Sequence, residues 1–171
     1  MIELTNEIDL TVKELAVALD SFTSAEFNTI PFEGSWTAGQ VTEHTLKSVS
    51  GILMAVNGRT EPVKRDPGAQ VETIRSAFLN FNIKMTSPEF ILPSNGPHDK
   101  DQLKAALLQT MSGLREAAQM LDLTELCLDF EVPVIGSLTR LEFINFAIVH
   151  TRRHIRQLQN IHNHFKSVQT V

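Results

Sequence analysis

Apolar residues in this chain recur at steps of three and four through four long segments, the spacing that turns one helical face toward a core. In the first segment Leu4, Ile8, Val12, Leu15, Leu19 and Phe22 keep that rhythm, and Pro31 and Gly34 then interrupt it. The second opens at "TAGQ", where Thr37 and Gln40 have capping-box spacing, and runs through Val41, His44, Val49 and Ile52 to a C-cap pair, Asn57 and Gly58. The third follows "SNGPHDKDQ" and carries Leu103, Leu107, Met111, Leu114 and Leu121 on one stripe. The fourth opens at "GSLTRLE" with a second capping box, Thr139 and Glu142. It continues through Phe143, Ala147, Leu158 and Ile161.

Roughly residues 58–100 break the pattern with prolines and glycines and hold one shorter helical stretch, "VETIRSAFLNFN". A gap of that length is too long for a plain loop, so it is expected to pack as a crossover. Strand signals are weak: "CLDFEVPVI" alternates a little, but Pro133 interrupts it. The pattern predicts an all-α fold, a four-helix bundle with a long crossover containing a short helix between helices two and three. One domain over 1–171 is expected.

Composition narrows the function classes. With 42% apolar and 20% charged residues, the chain reads as an ordinary globular protein rather than a disordered one. Its net charge of −5 argues against nucleic acid as a partner, because phosphate binding needs clustered basic residues. A single cysteine, Cys127, excludes an intramolecular disulfide and fits a reducing cytoplasm. The acidic, amphipathic start "MIELTNEIDLTVKELAVALD" lacks the character of a signal peptide, and no apolar run approaches the ~18–20 residues that span a bilayer. A cytoplasmic protein without membrane contact is expected.

The chemistry concentrates in "FAIVHTRRHIRQLQNIH". On a helix His150 and His154 lie about 40° apart and one turn from each other, on the stripe that holds Phe143, Ala147, Leu158 and Ile161. Two imidazoles at this spacing can share a metal. Thr151 stands where a zincin carries its catalytic Glu, so the peptidase reading is lost. His44, on the apolar stripe of the second helix, is the candidate third ligand. Three histidines leave a metal position open, as in catalytic sites. The other reading is a hydrogen-bonded histidine pair, against which stands the cost of desolvating two unshared imidazoles. His162 and His164 read as solvated tail residues, and His98 as polarity at a helix start.

At this point the chain resembles the DinB-like superfamily of metal-binding four-helix bundles. The residues that carry the likeness are "SWTAGQVTEHTLKS" around His44 and "LTRLEFINFAIVHTRRHIRQL" around the histidine pair, with the long crossover between them. The resemblance implies a metal triad of His44, His150 and His154, a divalent metal (commonly zinc or nickel), and often a homodimer. Characterised members include transferases and isomerases that use low-molecular-weight thiols such as bacillithiol or mycothiol; kinship of fold does not fix the reaction.

Neighbouring residues offer further candidates. Arg153 and Gln157 flank the histidine stripe at about −60° and −20° from His150, and Arg153 can meet an anionic substrate group or merely snorkel. Arg152 and Arg156 fall on the far face and read as solvated. Glu43 adjoins His44 and is the candidate base, although adjacent helix residues diverge by about 100°. Trp36 is placed either as a wall near His44 or as packing at the helix start. Cys127 reads as a small apolar residue and Glu142 as a cap. The expected function is a metal-dependent enzyme, a thiol-dependent transferase or hydrolase acting on a small molecule. The alternative is a non-catalytic bundle, with or without metal, serving as a binding or dimerisation module.

Overall fold

The computed structural model describes residues 2–169, with side chains through residue 167, and turns the four periodic segments into four long helices. These are α1 (Ile2–Asp20), α3 (Ala38–Asn57), α5 (Lys100–Met120) and α6 (Arg140–Gln169). A short helix, α2 (Ser24–Phe27), follows α1, and α4 (Val71–Leu79) is the helix within the crossover. Helices α1 and α3 each pack against both α5 and α6, which closes the four into a bundle, and α4 lies on α6. The shared core is built from the stripes read above, with Ile8, Leu15 and Leu19 facing Leu107, Met111, Leu114, Phe143 and Leu158. The all-α expectation holds for the frame.

Both capping boxes form. Thr37 Oγ1 accepts from Gln40 N at 3.1 Å while Gln40 Oε1 accepts from Thr37 N at 3.0 Å, which sets where α3 begins and therefore the phase of His44. At α6 the box is extended. Glu142, fully buried, takes both Arg65 guanidinium nitrogens at 2.6 Å, Gln70 N at 2.8 Å and Thr139 N at 2.9 Å. Burial works to raise the Glu142 pKa, but these donors win and hold it below the usual carboxylate value. The helix that carries two candidate ligands is thereby pinned to the start of the crossover.

A small antiparallel sheet departs from the expectation. Its strands are β1 (Thr60–Glu61), β2 (Leu126–Val132) and β3 (Gly136–Thr139), with Thr60 opposite Cys127 and Val132 opposite Gly136. Pro133 does not interrupt a strand; it opens the turn between β2 and β3. Ile135 N donates to Val132 O at 3.1 Å, and Val134 sits at φ 73°, the position where such a turn favours glycine. Gly58, the cap of α3, has φ −80° and so is not there for a left-handed cap; a Cβ would lie 2.4 Å from Asp129 Oδ2, which accepts from Arg59 N at 2.7 Å.

Two other expectations are corrected. Arg152 is not solvated: its guanidinium reaches Glu7 of α1 at 2.7 Å, a carboxylate that also holds Arg75 of α4 at 2.7 Å. His162 and His164 are not a tail, because α6 continues past them; their rings meet Phe22 and Phe32 edge-on at 5.4 and 5.5 Å. Arg156 is exposed as expected, with its guanidinium 6.0 Å from the Phe81 ring.

The Glu142 network gives a testable ordering. Removing one partner of a buried pair leaves the rest unsatisfied, so Glu142→Ala should destabilise by ~3 kcal/mol, toward the lower end for such pairs because Arg65 is partly exposed. Loss of the Thr139 cap alone, in Thr139→Ala, should cost about 1 kcal/mol. Urea denaturation of the two variants measures both; equal costs would remove the network from its anchoring role.

Candidate metal centre

His44 stands on the second turn of α3, among Val41, Thr42 and Thr45, all buried. Both threonines satisfy their hydroxyls locally, Thr42 Oγ1 on Ala38 O at 2.7 Å and Thr45 Oγ1 on Val41 O at 2.8 Å, so neither competes for the imidazole. His150 and His154 come from α6, whose Ala147, Val149, Thr151 and Ile155 are buried beside them. The three rings are 2%, 5% and 8% exposed in sequence order. Ring centroids lie 5.2 Å apart for His44 and His150, 4.6 Å for His44 and His154, and 4.5 Å for His150 and His154. One nitrogen from each ring lies within 4.8 Å of the other two.

The donor geometry fits a divalent ion. His150 Nε2 and His154 Nε2 are 3.2 Å apart. Two nitrogens on one tetrahedral zinc, each at 2.0–2.1 Å, stand about 3.3 Å apart. The outer nitrogens set the tautomers. His44 Nδ1 faces Ile91 O at 2.9 Å and His154 Nδ1 faces Gln157 Oε1 at 2.9 Å; each is the donor, since both partners are acceptor oxygens. Each Nε2 is therefore unprotonated and able to act as a ligand, the arrangement that outer acceptors give metal-binding histidines. His150 differs, because its Nδ1 is buried and without a partner.

All three imidazoles are held neutral. Burial is the main cause, pushing His150 well below its ordinary value and His154 down to about 3. His44 is also lowered, first by burial and then by Lys47, against the Ile91 contact that favours its charged form. Neutral imidazoles are the form that binds metals.

Around the triad the walls are aromatic. Trp36 lies 5.2 Å from the His44 ring, so it does border the site, and Phe78 and Phe146 stand 5.9 and 5.7 Å from His150. Phe146, four residues before His150, was accessible to the helical wheel; Phe78 comes from the crossover, where no periodicity pointed to it. Glu43 turns elsewhere. Its carboxylate accepts from Ser94 N at 2.6 Å and His98 Nε2 at 3.0 Å and pairs with Lys47 at 3.1 Å. Burial opposes this, but those donors hold Glu43 at about 2, too acidic to serve as an effective base near neutrality. His98 is thus a tether rather than plain helix-start polarity, and it crowds Gly39, where a Cβ would meet it at 2.9 Å. Cys127 is fully buried, and burial pushes its thiol up to about 11, which removes it as a nucleophile.

The family model of the DinB superfamily matches residues 7–158, a span that contains all three histidines. The chain belongs to the DinB superfamily. No curated protein and no solved structure matches it significantly. In this DinB-superfamily chain the triad assigned by resemblance is the one that the fold brings together. Among the described residues no helix is long and apolar enough to cross a membrane.

The depressed imidazole pKa values carry a pH signature. Between the unfolded value near 6.5 and the folded values below it, the unfolded chain binds more protons, so stability falls as pH falls through that window. Metal-free protein should lose stability between pH 6.5 and 5.5 with a slope of up to about 1.4 kcal/mol per pH unit for each neutral imidazole. His154→Gln should show a shallower slope than the parent in urea melts across that range. A parent whose stability is flat there contradicts the buried neutral triad.

Proposed function

We propose that this protein is a metal-dependent enzyme that holds one divalent ion on His44, His150 and His154 and acts on a small molecule as a thiol-dependent transferase or a hydrolase. The carrying observation is the convergence of three neutral imidazole nitrogens, two of them 3.2 Å apart, with no fourth protein ligand in the group among the described residues. When bound, such an ion supplies Lewis acidity, lowering the pKa of a water or thiol at its open position. The chain supplies the rest. Ile91 O and Gln157 Oε1 fix two ligand rings in the coordinating tautomer, while Trp36, Phe78 and Phe146 keep bulk water from the site. Zinc or nickel is the metal suggested by the family, and imidazole ligands suit both. A homodimer in the cytoplasm belongs to the same reading, supported by the resemblance and by a single reduced, buried Cys127.

Metal content tests the first half. Tag-free protein purified without chelator should contain about one divalent ion per chain by elemental analysis, as a three-histidine site implies. His44→Ala and His150→Ala should lose it to the same degree. Protein without stoichiometric metal, or a His44→Ala variant that keeps it, would sink the assignment. Catalysis is tested by turnover of electrophiles with low-molecular-weight thiols, with the triple His→Ala protein as blank; a metal-loaded protein as inert as that blank belongs to the non-catalytic alternative.

A further inference from the structure

The triad is covered by a segment that has almost nothing apolar holding it down. Between Ile74 and Leu107, both fully buried, no residue is buried, and Phe81, Ile83, Met85, Phe90 and Leu92 are 39–60% exposed. What fastens this segment is polar, and the fasteners sit on the turns that carry the ligands. From α3, His44 itself holds Ile91 O, Lys47 Nζ holds Leu92 O at 2.8 Å, and Glu43 holds Ser94. From α6, Arg153 donates to Phe78 O at 3.2 Å, to Asn80 O at 2.9 Å and to Ile83 O.

Arg153 is unusual in this protein. Arg59, Arg65, Arg75, Arg115, Arg140 and Arg152 each pair with a carboxylate. Every partner of Arg153 among the described residues is a neutral carbonyl. It borders the metal centre: it precedes His154 in α6, and one of the carbonyls it holds belongs to Phe78, whose ring abuts His150. The charged side chains acting on the three imidazoles are Lys47 and Arg153, both cationic, and the nearest acid in sequence, Glu43, is spent on Ser94, His98 and Lys47. A divalent ion on three neutral ligands would therefore sit beside a guanidinium with no counter-charge. Cations gathered in a site of low dielectric are stabilised by a bound anion.

We propose that the triad and Arg153 form one composite site for a carboxylate-bearing small molecule, which gives one donor to the ion and its carboxylate to Arg153, displacing the crossover carbonyls and loosening residues 80–98. The carboxylate is the better partner, because it offers the planar guanidinium a charged, two-pronged acceptor in place of single neutral ones. Release costs little, since the segment forfeits polar contacts and only partly buried apolar surface, such as the Phe90 ring on Phe130. The segment is thus both the cover of the site and the element that a correctly charged ligand moves. This inference rests on the metal reading above.

Cobalt(II)-loaded full-length protein provides the test, with 3-mercaptopropionate and its neutral analogue 3-mercapto-1-propanol as probes. The cobalt–thiolate absorption reports binding, and amide hydrogen exchange reports residues 80–98. The acid is expected to bind at least about tenfold more tightly than the alcohol, as charge-assisted hydrogen bonds imply. In Arg153→Gln that preference should vanish while affinity for the alcohol is kept. Exchange in 80–98 should rise with the acid only. Cobalt that binds, with equal affinities for the two probes or a preference that survives Arg153→Gln, overturns this inference and leaves the metal reading standing. Failure to bind cobalt at all overturns both. Should Arg153→Gln not fold, the parent decides alone: unchanged exchange in 80–98 on saturation with the acid rejects the proposal.

Discussion

Desolvation of three imidazoles governs the rest of this structure. Water is the usual partner of a histidine, and His44, His150 and His154 have been taken out of it together, on two helices whose core stripes are otherwise mostly apolar. Each ring must then be satisfied or shared. Outer acceptors were found for two of them, Ile91 O and Gln157 Oε1, and one nitrogen of each ring was left within 4.8 Å of the other two. A core built for stability alone would place leucines at these positions, as it does at Leu158 one turn further on. Where α3 and α6 meet, the bundle accepts that polar cost for three imidazoles at once.

That cost requires helices that do not slide or rotate, and the anchoring sits at their starts. A capping box fixes α3 seven residues before His44, and the Thr139–Glu142 box fixes α6 eleven residues before His150. Glu142 goes beyond capping: its two oxygens tie Arg65 and Gln70 of the crossover to the start of α6, and Arg152 ties the middle of the helix to α1 and, through Glu7, to α4. The frame around the ligands is over-determined by polar contacts at the helix starts and apolar packing beyond them.

How much of this was legible beforehand follows from what kind of group carries each feature. The helices and the ligand triad were legible because they rest on side-chain periodicity and capping chemistry, which sequence displays directly. Acceptors such as Ile91 O were not, since a backbone carbonyl leaves no residue signature. The hairpin was hidden because Val134 occupies a turn position that glycine normally marks, so Pro133 read as a strand breaker instead of a turn opener. The wheel correctly put Arg152 away from the triad, but away from the triad means toward α1, not toward solvent. His162 and His164 were misjudged for a similar reason: nearness to the chain's end said nothing of Phe22 and Phe32, which arrive from the opposite end of the sequence.

The crossover inverts the logic of the frame. Its first part, through Arg75, is fastened by Glu142, Glu7 and burial against α6; its second part is held mainly by hydrogen bonds, made by residues within a few positions of the ligands, with ring contacts at Phe81 and Phe90. Polar contacts of this kind add little net stability, because water offers each group an alternative. They do confer position and replaceability, since a contact made to a neutral carbonyl can be surrendered to a better acceptor without opening the core. Apolar anchoring at Phe81, Ile83 or Leu92 would have made the cover permanent and the triad inaccessible. Leaving those side chains outside, and holding the backbone by Arg153, Lys47 and His44, keeps the buried site closed to water while allowing it to be reached.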